Sequence, residues 1–289
     1  MNKYGVIDIG SNSIRLMVSD GVATIYKTLE TTQLSQGLQL TGYLNKEAMN
    51  RSIQAIEKLY KQAINDGANQ VYVFATEAVR SASNKEEFIL LLKQKNIDVD
   101  IIPSQYEAKI GFYGAYTKGK VCVMDIGGAS TELAIGDEKG IYYSKSLPIG
   151  IVRIKDQCGE NLTEAISYIE KVIQGYGDVP QFEEILAIGG TASSFASIKM
   201  KMAKYDTKKV DFYKLTYEDI EKMVKNIHSV PFDERGSIVG LSLKRRDVIV
   251  GGGLLLMSIM KYLNKDYLIV RESDNQEGYL MYKLGKIDI

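Results

Sequence analysis

The chain has 289 residues, 36 basic and 36 acidic side chains, and a net charge of zero. This length favours two domains, and the balanced charge excludes binding of a polyanion through the overall field of the protein, so any anion site must be local. The longest apolar run, residues 248–260, is too short and too rich in glycine to cross a bilayer, and the two cysteines lack metal-ligand spacing. The first strand begins almost at residue 1 and leaves no room for a secretory signal, so we expect a cytoplasmic protein without a membrane partner.

The first predicted element is a strand, a tight turn and a second strand. Residues 6–9 lead into the turn Gly10–Ser13, after which an alternating strand pattern resumes. Glycine and serine at such a turn let successive backbone N–H groups converge on an anion, and hydroxyl groups add donors. The turn is therefore a candidate phosphate-binding loop, and its candidate donors are Ser11, Asn12 and Ser13.

Helices and strands alternate through the rest of the first half. Apolar residues recur at helical spacing from Met49 to Ile64, with Asn45 placed to cap the helix and Gly67 to end it. The following predicted elements are a strand at 71–75, a helix from Asn84 to Lys95, a strand at 99–102 and a helix from Ser104. This alternation predicts an α/β layer architecture.

Residues 123–133 repeat residues 6–16 without a gap. In both copies an aspartate, Asp8 or Asp125, precedes a turn of small residues. The candidate donors in the second turn are Gly127, Gly128, Ala129 and Ser130. Two such turns can bind a phosphorylated ligand from opposite sides, and the neighbouring carboxylates can hold a cation.

We expect residues 1–118 and 119–289 to form two domains that pack around a cleft. The second half is predicted to contain helices at 163–174 and 217–227 and strands at 185–188 and 248–250. Glycines follow both strands, and the helix after the first begins at Thr191 or Ser193. These glycines, which include Gly189, Gly190, Gly251 and Gly252, either line the cleft or permit tight packing of a strand against a helix.

Several motifs along the chain are similar to those of one family. Besides the two turns, they are residues 75–80, Glu107 with Ala108, residues 148–150 with Arg153, residues 188–193, Glu234 with Arg235, and residues 246–249. In this order they resemble the exopolyphosphatase and guanosine pentaphosphate phosphatase family. The resemblance covers nearly the whole chain and implies a fold of two actin-like domains, shared with hexokinase-like sugar kinases and heat-shock ATPases.

The resemblance also implies a chemistry. It predicts a phosphoanhydride hydrolase that releases terminal phosphate from inorganic polyphosphate, or alternatively from guanosine pentaphosphate. Glu107 would activate water, while Arg80, Arg15 and the two turns would bind phosphate. The cofactor would be Mg²⁺ or another hard divalent cation, with Asp125 as first ligand and Asp8 and Glu132 as further candidates.

The chain departs from the family pattern at three positions. Tyr106 replaces a glutamate, Ala129 replaces a glycine of the second turn, and Gln276 replaces an arginine near the C-terminus. The changes at Tyr106 and Gln276 keep a non-catalytic sensor of guanosine polyphosphates open as an alternative, and an actin-fold kinase is a further one. No basic-aromatic pattern points to nucleic acid. The oligomeric state is left open, with a homodimer as one option.

The proposed catalytic residues also have structural interpretations. Ser104 and Glu107 match the S-x-x-E capping box, in which the glutamate only starts a helix. Arg80 can form a surface ion pair with Glu77. Both interpretations stay open at this point.

The candidate metal ligands have structural interpretations as well. Asp8 and Asp125 can bond to the backbone of their own turns, and Glu132 can be an ordinary carboxylate on a strand face. A basic cluster can guide a long polyphosphate or can be a solvated helix end; it consists of Lys199, Lys201, Lys204, Lys208 and Lys209.

Overall fold

The computed structural model describes residues 2–289 and divides into two compact units. The first unit comprises residues 2–114 and Asn275–Ile289, and the second comprises Ala115–Asp274. Within the described residues, no helix combines the length and the apolar character that crossing a membrane requires.

The first unit is built on a five-stranded sheet. Its strands are β1 (Tyr4–Ile9), β2 (Ser13–Ser19), β3 (Thr24–Thr31), β4 (Gln70–Ala75) and β5 (Asp100–Ile101). They lie in the order β3-β2-β1-β4-β5, with β2 antiparallel to both β1 and β3, β4 parallel to β1, and β5 parallel to β4. Its helices up to this point are α1 (Leu38–Thr41), α2 (Lys46–Asn65), α3 (Glu77–Arg80), α4 (Lys85–Lys93) and α5 (Ser104–Ala115).

Helix α2 follows its predicted pattern closely. The side chain of Asn45 caps it by accepting a hydrogen bond from the Ala48 N–H at 2.8 Å, and its apolar face is buried on the sheet. Helix α4 differs from the prediction at its first residue. The Asn84 side chain accepts from the Leu44 N–H at 2.9 Å and makes no capping bond to α4, so it ties two loops together.

The second unit contains a six-stranded sheet in the order β10-β11-β9-β6-β7-β8. Its strands are β6 (Val121–Ile126), β7 (Thr131–Asp137), β8 (Gly140–Leu147), β9 (Glu184–Ile188), β10 (Lys214–Thr216) and β11 (Tyr267–Val270). Its α-helices are α6 (Ile151–Cys158), α7 (Leu162–Ile173), α8 (Gly190–Lys199), α9 (Thr207–Val210), α10 (Tyr217–Ser229) and α11 (Ile249–Tyr262). Short 3-10 helices occur at Gln174–Tyr176, Phe232–Ser237 and Leu243–Arg245.

The sequence repeat corresponds to a structural repeat. The order β3-β2-β1-β4 in the first unit matches β8-β7-β6-β9 in the second. We call the two turns loop 1 (Gly10–Ser13) and loop 2 (Gly127–Ser130). In each loop the glycine N–H bonds to the carbonyl of the fourth residue, at 3.2 Å in loop 1 and 3.0 Å in loop 2.

The predicted strand at 248–250 is wrong, because this segment begins helix α11. The glycines after it belong to the helix and permit close packing. A Cβ atom at Gly253 would lie 2.3 Å from Val224 and 2.5 Å from Phe195, which lie on α10 and α8. For Gly253, tight helix packing is the structural role.

The predicted second domain of 119–289 also needs correction, because the last helix, α12 (Asn275–Lys283), packs within the first unit. The Gln276 side chain donates to the Val6 carbonyl of β1 at 2.8 Å. A Cβ atom at Gly278 would lie 1.9 Å from the Ile110 carbonyl oxygen, so α12 contacts the backbone of α5 directly. The chain therefore returns to its first unit after completing the second.

Candidate functional site

Loop 1 is held in place by the segment that follows β3. The carbonyl of Ser11 accepts a hydrogen bond from the Ser35 N–H at 3.0 Å. The carbonyl of Asn12 accepts from the N–H groups of Thr32 and Gln33 at 3.1 and 2.9 Å. Two successive loop carbonyls are thus fixed on one side of the loop.

This segment is in turn fixed by α2. The Ser52 hydroxyl donates to the Thr32 hydroxyl at 2.9 Å, and Arg51 donates to the Thr32 carbonyl at 3.0 Å. Ser52 and Thr32 are both buried. A network of this kind resists rearrangement, because breaking it would leave buried polar groups unsatisfied.

Loop 2 is held in the same way by the first turn of α6. The N–H of Ile151 donates to the Gly127 carbonyl at 3.1 Å, and those of Val152 and Arg153 donate to the Gly128 carbonyl at 2.8 and 3.3 Å. These N–H groups are among those that a helix start leaves without an intrahelical partner. Loop 2 therefore caps α6, and α6 fixes loop 2.

The anchoring of the carbonyls sets the direction of the loop N–H groups. In a trans peptide the C=O of one residue and the N–H of the next point in opposite directions. Consequently the N–H groups of Asn12 and Ser13 point away from the anchoring segment, as do those of Gly128 and Ala129 in loop 2. Successive N–H groups on one side of a turn form an anion-binding concavity.

The equivalent cross-strand pairs beside the two loops differ in charge. In the first unit Asp8 faces Arg15, whose Nε donates to Asp8 Oδ2 at 2.9 Å and whose Nη2 contacts the same oxygen. In the second unit the corresponding residues are Asp125 and Glu132, both acidic and both buried. The Ser146 hydroxyl donates to Glu132 Oε1 at 2.6 Å.

The two acidic residues of the second unit fit a hard cation. Directly opposed like charges on neighbouring strands disfavour each other, and carboxylate oxygens are the ligands that Mg²⁺ prefers. Asp125 Oδ1 also lies against Gly189, where a Cβ atom would approach it to 2.8 Å. Residues 2–289 contain no group of three or more His, Cys, Asp or Glu side chains arranged to hold a metal, so other ligands, such as phosphate oxygens or water, would be needed.

Arg80 and Glu107, the predicted catalytic residues, lie together in the first unit. Arg80 Nη1 donates to Glu107 Oε2 at 2.9 Å and to the Ile102 carbonyl at 2.5 Å, and its Nη2 donates to Glu77 Oε2 at 2.7 Å. Glu107 lies in the first turn of α5 and is only 6% exposed. Its carboxylate is therefore buried and paired with Arg80, unlike that of a solvated capping residue.

Arg80 stays charged in this setting. Burial lowers the pKa of its guanidinium, but the charges and hydrogen bonds of Glu107 and Glu77 outweigh burial and raise the pKa above its usual value. Its predicted pairing with Glu77 is confirmed, and it occurs together with the Glu107 pairing. The arginine is thus oriented by two carboxylates and one carbonyl.

The sequence profile of the Ppx/GppA phosphatase family matches residues 13–287. The chain belongs to this family.

Three comparisons illustrate the similarity. A bifunctional 3-dehydroquinate synthase/phosphatase of Fusobacterium nucleatum is 31% identical, over 95% of this chain and 46% of that protein. A guanosine-5'-triphosphate,3'-diphosphate pyrophosphatase of Photobacterium profundum is 29% identical, over 98% of this chain and 60% of that protein. The solved structure of an exopolyphosphatase from Cytophaga hutchinsonii has a TM-score of 0.89 and 25% identity, and the match covers 99% of each chain. The chain thus spans about half the length of the first relative. The predicted α/β fold with two units is confirmed, and the exopolyphosphatase structure shares it.

Two departures from the family pattern have packing roles in this Ppx/GppA member. Gln276 is fully buried and bonds to β1. Tyr106 packs at the edge of a small apolar cluster that contains Val6 and Phe74, and the Lys109 ammonium lies 5.7 Å from its ring centre. Ala129, the third departure, lies in loop 2 and is buried.

Several residues that shape these sites carry no recognisable signal in the sequence. The guanidinium of Arg245 lies so close to Gly190 that a Cβ atom there would overlap it, at 1.8 Å from Nη2. It therefore covers the first residue of α8, next to the glycine that lies against Asp125. Thr32 and Ser52 are equally hard to identify, because a buried serine on an apolar helix face has no distinguishing local pattern.

Proposed function

We propose that this protein is an exopolyphosphatase, in which Glu107 orients and deprotonates the attacking water and Arg80 stabilises charge on the transferred phosphoryl group. The contact between Arg80 and Glu107 carries this proposal. A carboxylate that accepts water's proton and a guanidinium that binds phosphoryl oxygens must act on neighbouring atoms, and these two side chains are 2.9 Å apart.

The loops supply the second part of the proposal. Phosphoryl transfer depends mainly on positioning and on stabilising charge, and rigid N–H groups act on charge without reorganising during the reaction. The anchored carbonyls of both loops support this role for Ser11, Asn12, Ser13, Gly127, Gly128, Ala129 and Ser130. Arg15 would act mainly through Asp8, because its guanidinium binds that carboxylate.

The donor chemistry supports a divalent cation at Asp125 and Glu132. Asp8 ranks behind them, because Arg15 already neutralises it. When bound, a cation such as Mg²⁺ would neutralise negative charge on phosphate oxygens. Loss of either Asp125 or Glu132 should therefore weaken cation binding, whereas loss of Asp8 should not.

The decisive experiment is Glu107→Gln, assayed for phosphate release from polyphosphate with Mg²⁺. Glutamine can still accept the Arg80 hydrogen bond but cannot take a proton, so we expect release to fall by roughly 10²- to 10⁴-fold while polyphosphate binding persists. The control is Glu87→Gln on α4, an exposed carboxylate. Unchanged turnover in Glu107→Gln would assign Glu107 to helix capping.

A second candidate substrate is guanosine pentaphosphate, because the Photobacterium profundum relative is named for a guanosine substrate. Both substrates end in a chain of phosphoanhydrides, which the loops alone do not distinguish. Competition between the two in one reaction gives the ratio of their kcat/KM values directly. Preference for the guanosine compound would replace polyphosphate as the assigned substrate and leave the roles of Glu107 and Arg80 intact.

A further inference from the structure

The chain after α8 carries a dense positive charge. Five lysines occur between Lys199 and Lys209, and the one acidic residue among them is Asp206. The protein as a whole has a net charge of zero. The excess of positive charge is therefore local to this segment. Because salt screens charges over about 10 Å, it attracts only anions that come close to the segment.

Three of these lysines form no ion pair with any carboxylate of residues 2–289; they are Lys201, Lys204 and Lys208. The other two are partly neutralised, since Lys199 lies 2.5 Å from Asp219 and Lys209 lies 3.9 Å from Asp206. We call the segment Met200–Lys209 the basic loop. Its three unopposed lysines are exposed to solvent.

The basic loop has a defined, concave shape. It lines a shallow depression of about 860 Å³. Lys201 adopts a left-handed backbone conformation with φ of 50°, and the Asp206 side chain accepts from the Lys208 N–H at 3.1 Å, which starts helix α9. These turns hold the lysines around one concavity, whereas a disordered tail would spread them.

The basic loop folds back toward the start of α8. The Tyr205 hydroxyl donates to Glu272 Oε1 at 2.6 Å, and the Ser193 hydroxyl donates to the same oxygen at 2.9 Å. Ser193 lies in the first turn of α8, and Gly189, just before that helix, lies against Asp125. The basic loop thus reaches the end of α8 at which the proposed cation site lies.

We infer that the basic loop binds the distal phosphates of a long inorganic polyphosphate whose terminal phosphates occupy loop 2. This inference rests on the proposed function and adds to it a preference for long chains. A polyphosphate carries regularly spaced charges along a flexible chain, which several lysines can bind without specific geometry. We therefore expect the lysines of the basic loop to favour long chains over substrates of a few phosphates.

The test is the triple variant K201Q/K204Q/K208Q. Its kcat/KM is measured with long-chain polyphosphate and with tripolyphosphate at low and high salt. We expect the ratio of kcat/KM for the long chain to that for tripolyphosphate to fall roughly tenfold at low salt, and by less at high salt, where the field is screened. The matched control, K139Q/K171Q/K261Q, removes three exposed lysines elsewhere in the second unit and should keep the wild-type ratio.

An unchanged ratio in the triple variant would overturn the inference. If the wild type hydrolyses neither substrate, the proposed function fails, and direct binding of long-chain polyphosphate to wild type and triple variant then decides the role of the basic loop alone. Equal binding by both proteins would overturn it. Displacement of long-chain polyphosphate by single-stranded RNA at equal phosphate concentration would also overturn it, because it would show a general polyanion surface.

Discussion

At the scale of single residues, one position of the structural repeat determines where a cation is expected. Arg15 and Glu132 are equivalent, and they face the equivalent aspartates Asp8 and Asp125. The arginine forms an ion pair with its aspartate, whereas the glutamate adds a second carboxylate beside its own. The two similar hairpins therefore differ in charge at this position, and we propose the second as the cation site.

This difference predicts the effect of Mg²⁺ on stability. A ligand that binds only the native state raises the free energy of unfolding by RT ln(1 + [L]/Kd), so Mg²⁺ should raise the Tm of the wild type. Asp125→Asn or Glu132→Gln should weaken Mg²⁺ binding by at least about tenfold and so shift the required concentration upward. Calorimetric scans over a Mg²⁺ series measure this shift without any substrate.

The control for that experiment is Asp137→Asn, which removes a carboxylate at the far end of β7. Its response to Mg²⁺ should match the wild type. If Asp8→Asn alone abolished the Mg²⁺ response while Asp125→Asn did not, the cation would have to be assigned to the first unit.

At the scale of secondary-structure elements, loop 2 and α6 hold each other in place. The helix supplies N–H groups to the loop carbonyls, and Gly150 lies directly against the loop backbone. A Cβ atom at Gly150 would lie 2.5 Å from the carbonyl carbon of Gly128 and 2.6 Å from the nitrogen of Ala129. Backbone atoms at that distance cannot move aside without displacing the loop.

We therefore expect Gly150→Ala to weaken phosphate binding and to lower the free energy of unfolding by roughly 1–3 kcal/mol. Gly159→Ala, at the other end of α6, is the matched control. Gly159 has φ of 56° and ψ of −122°, and a Cβ atom added there would meet no neighbour within 4 Å, so this change costs roughly 1–3 kcal/mol through backbone strain alone. Isothermal titration with tripolyphosphate should show weaker binding in Gly150→Ala only; equal weakening in both variants would show a general stability effect.

The elements that can be predicted well from the sequence are those whose signals are local. The two hairpins, α2 and β4 could be predicted because their hydrophobic periodicity and turn residues lie within a few positions of one another. The prediction for 248–250 failed, because a short apolar run suits both a buried strand and a buried helix, and the glycines after it are compatible with a turn as well as with close helix packing. Thr32 holds loop 1, and Glu107 holds Arg80, through contacts between residues that are far apart in the sequence. The geometry of these two contacts could therefore not be derived from residue spacing.

At the scale of the whole molecule, the chain starts and ends in the same unit. Helix α12 contributes Tyr279 to the core of the first unit, where its ring centre lies 4.4 Å from that of Phe74 on β4. Its hydroxyl donates to Asp100 on β5, and burial together with this bond raises the pKa of Tyr279. The C-terminal residues therefore complete a core whose strands all lie in the first part of the chain, before α5.

Because α12 packs in the first unit, a substitution in α12 should lower the stability of that unit. Tyr279→Ala removes a fully buried ring, and loss of such a ring costs about 3–5 kcal/mol. Hydrogen exchange should accelerate in the peptides covering β1 and β4, whereas those covering β6 and β9 keep wild-type protection, because the second unit has its own apolar core.

Tyr282→Ala on the same helix is the control, since that side chain is 39% exposed. Loss of protection in β6 and β9 to the same extent as in β1 would show that the two units unfold together, and unchanged protection in β1 would show that α12 contributes little to the core it contacts.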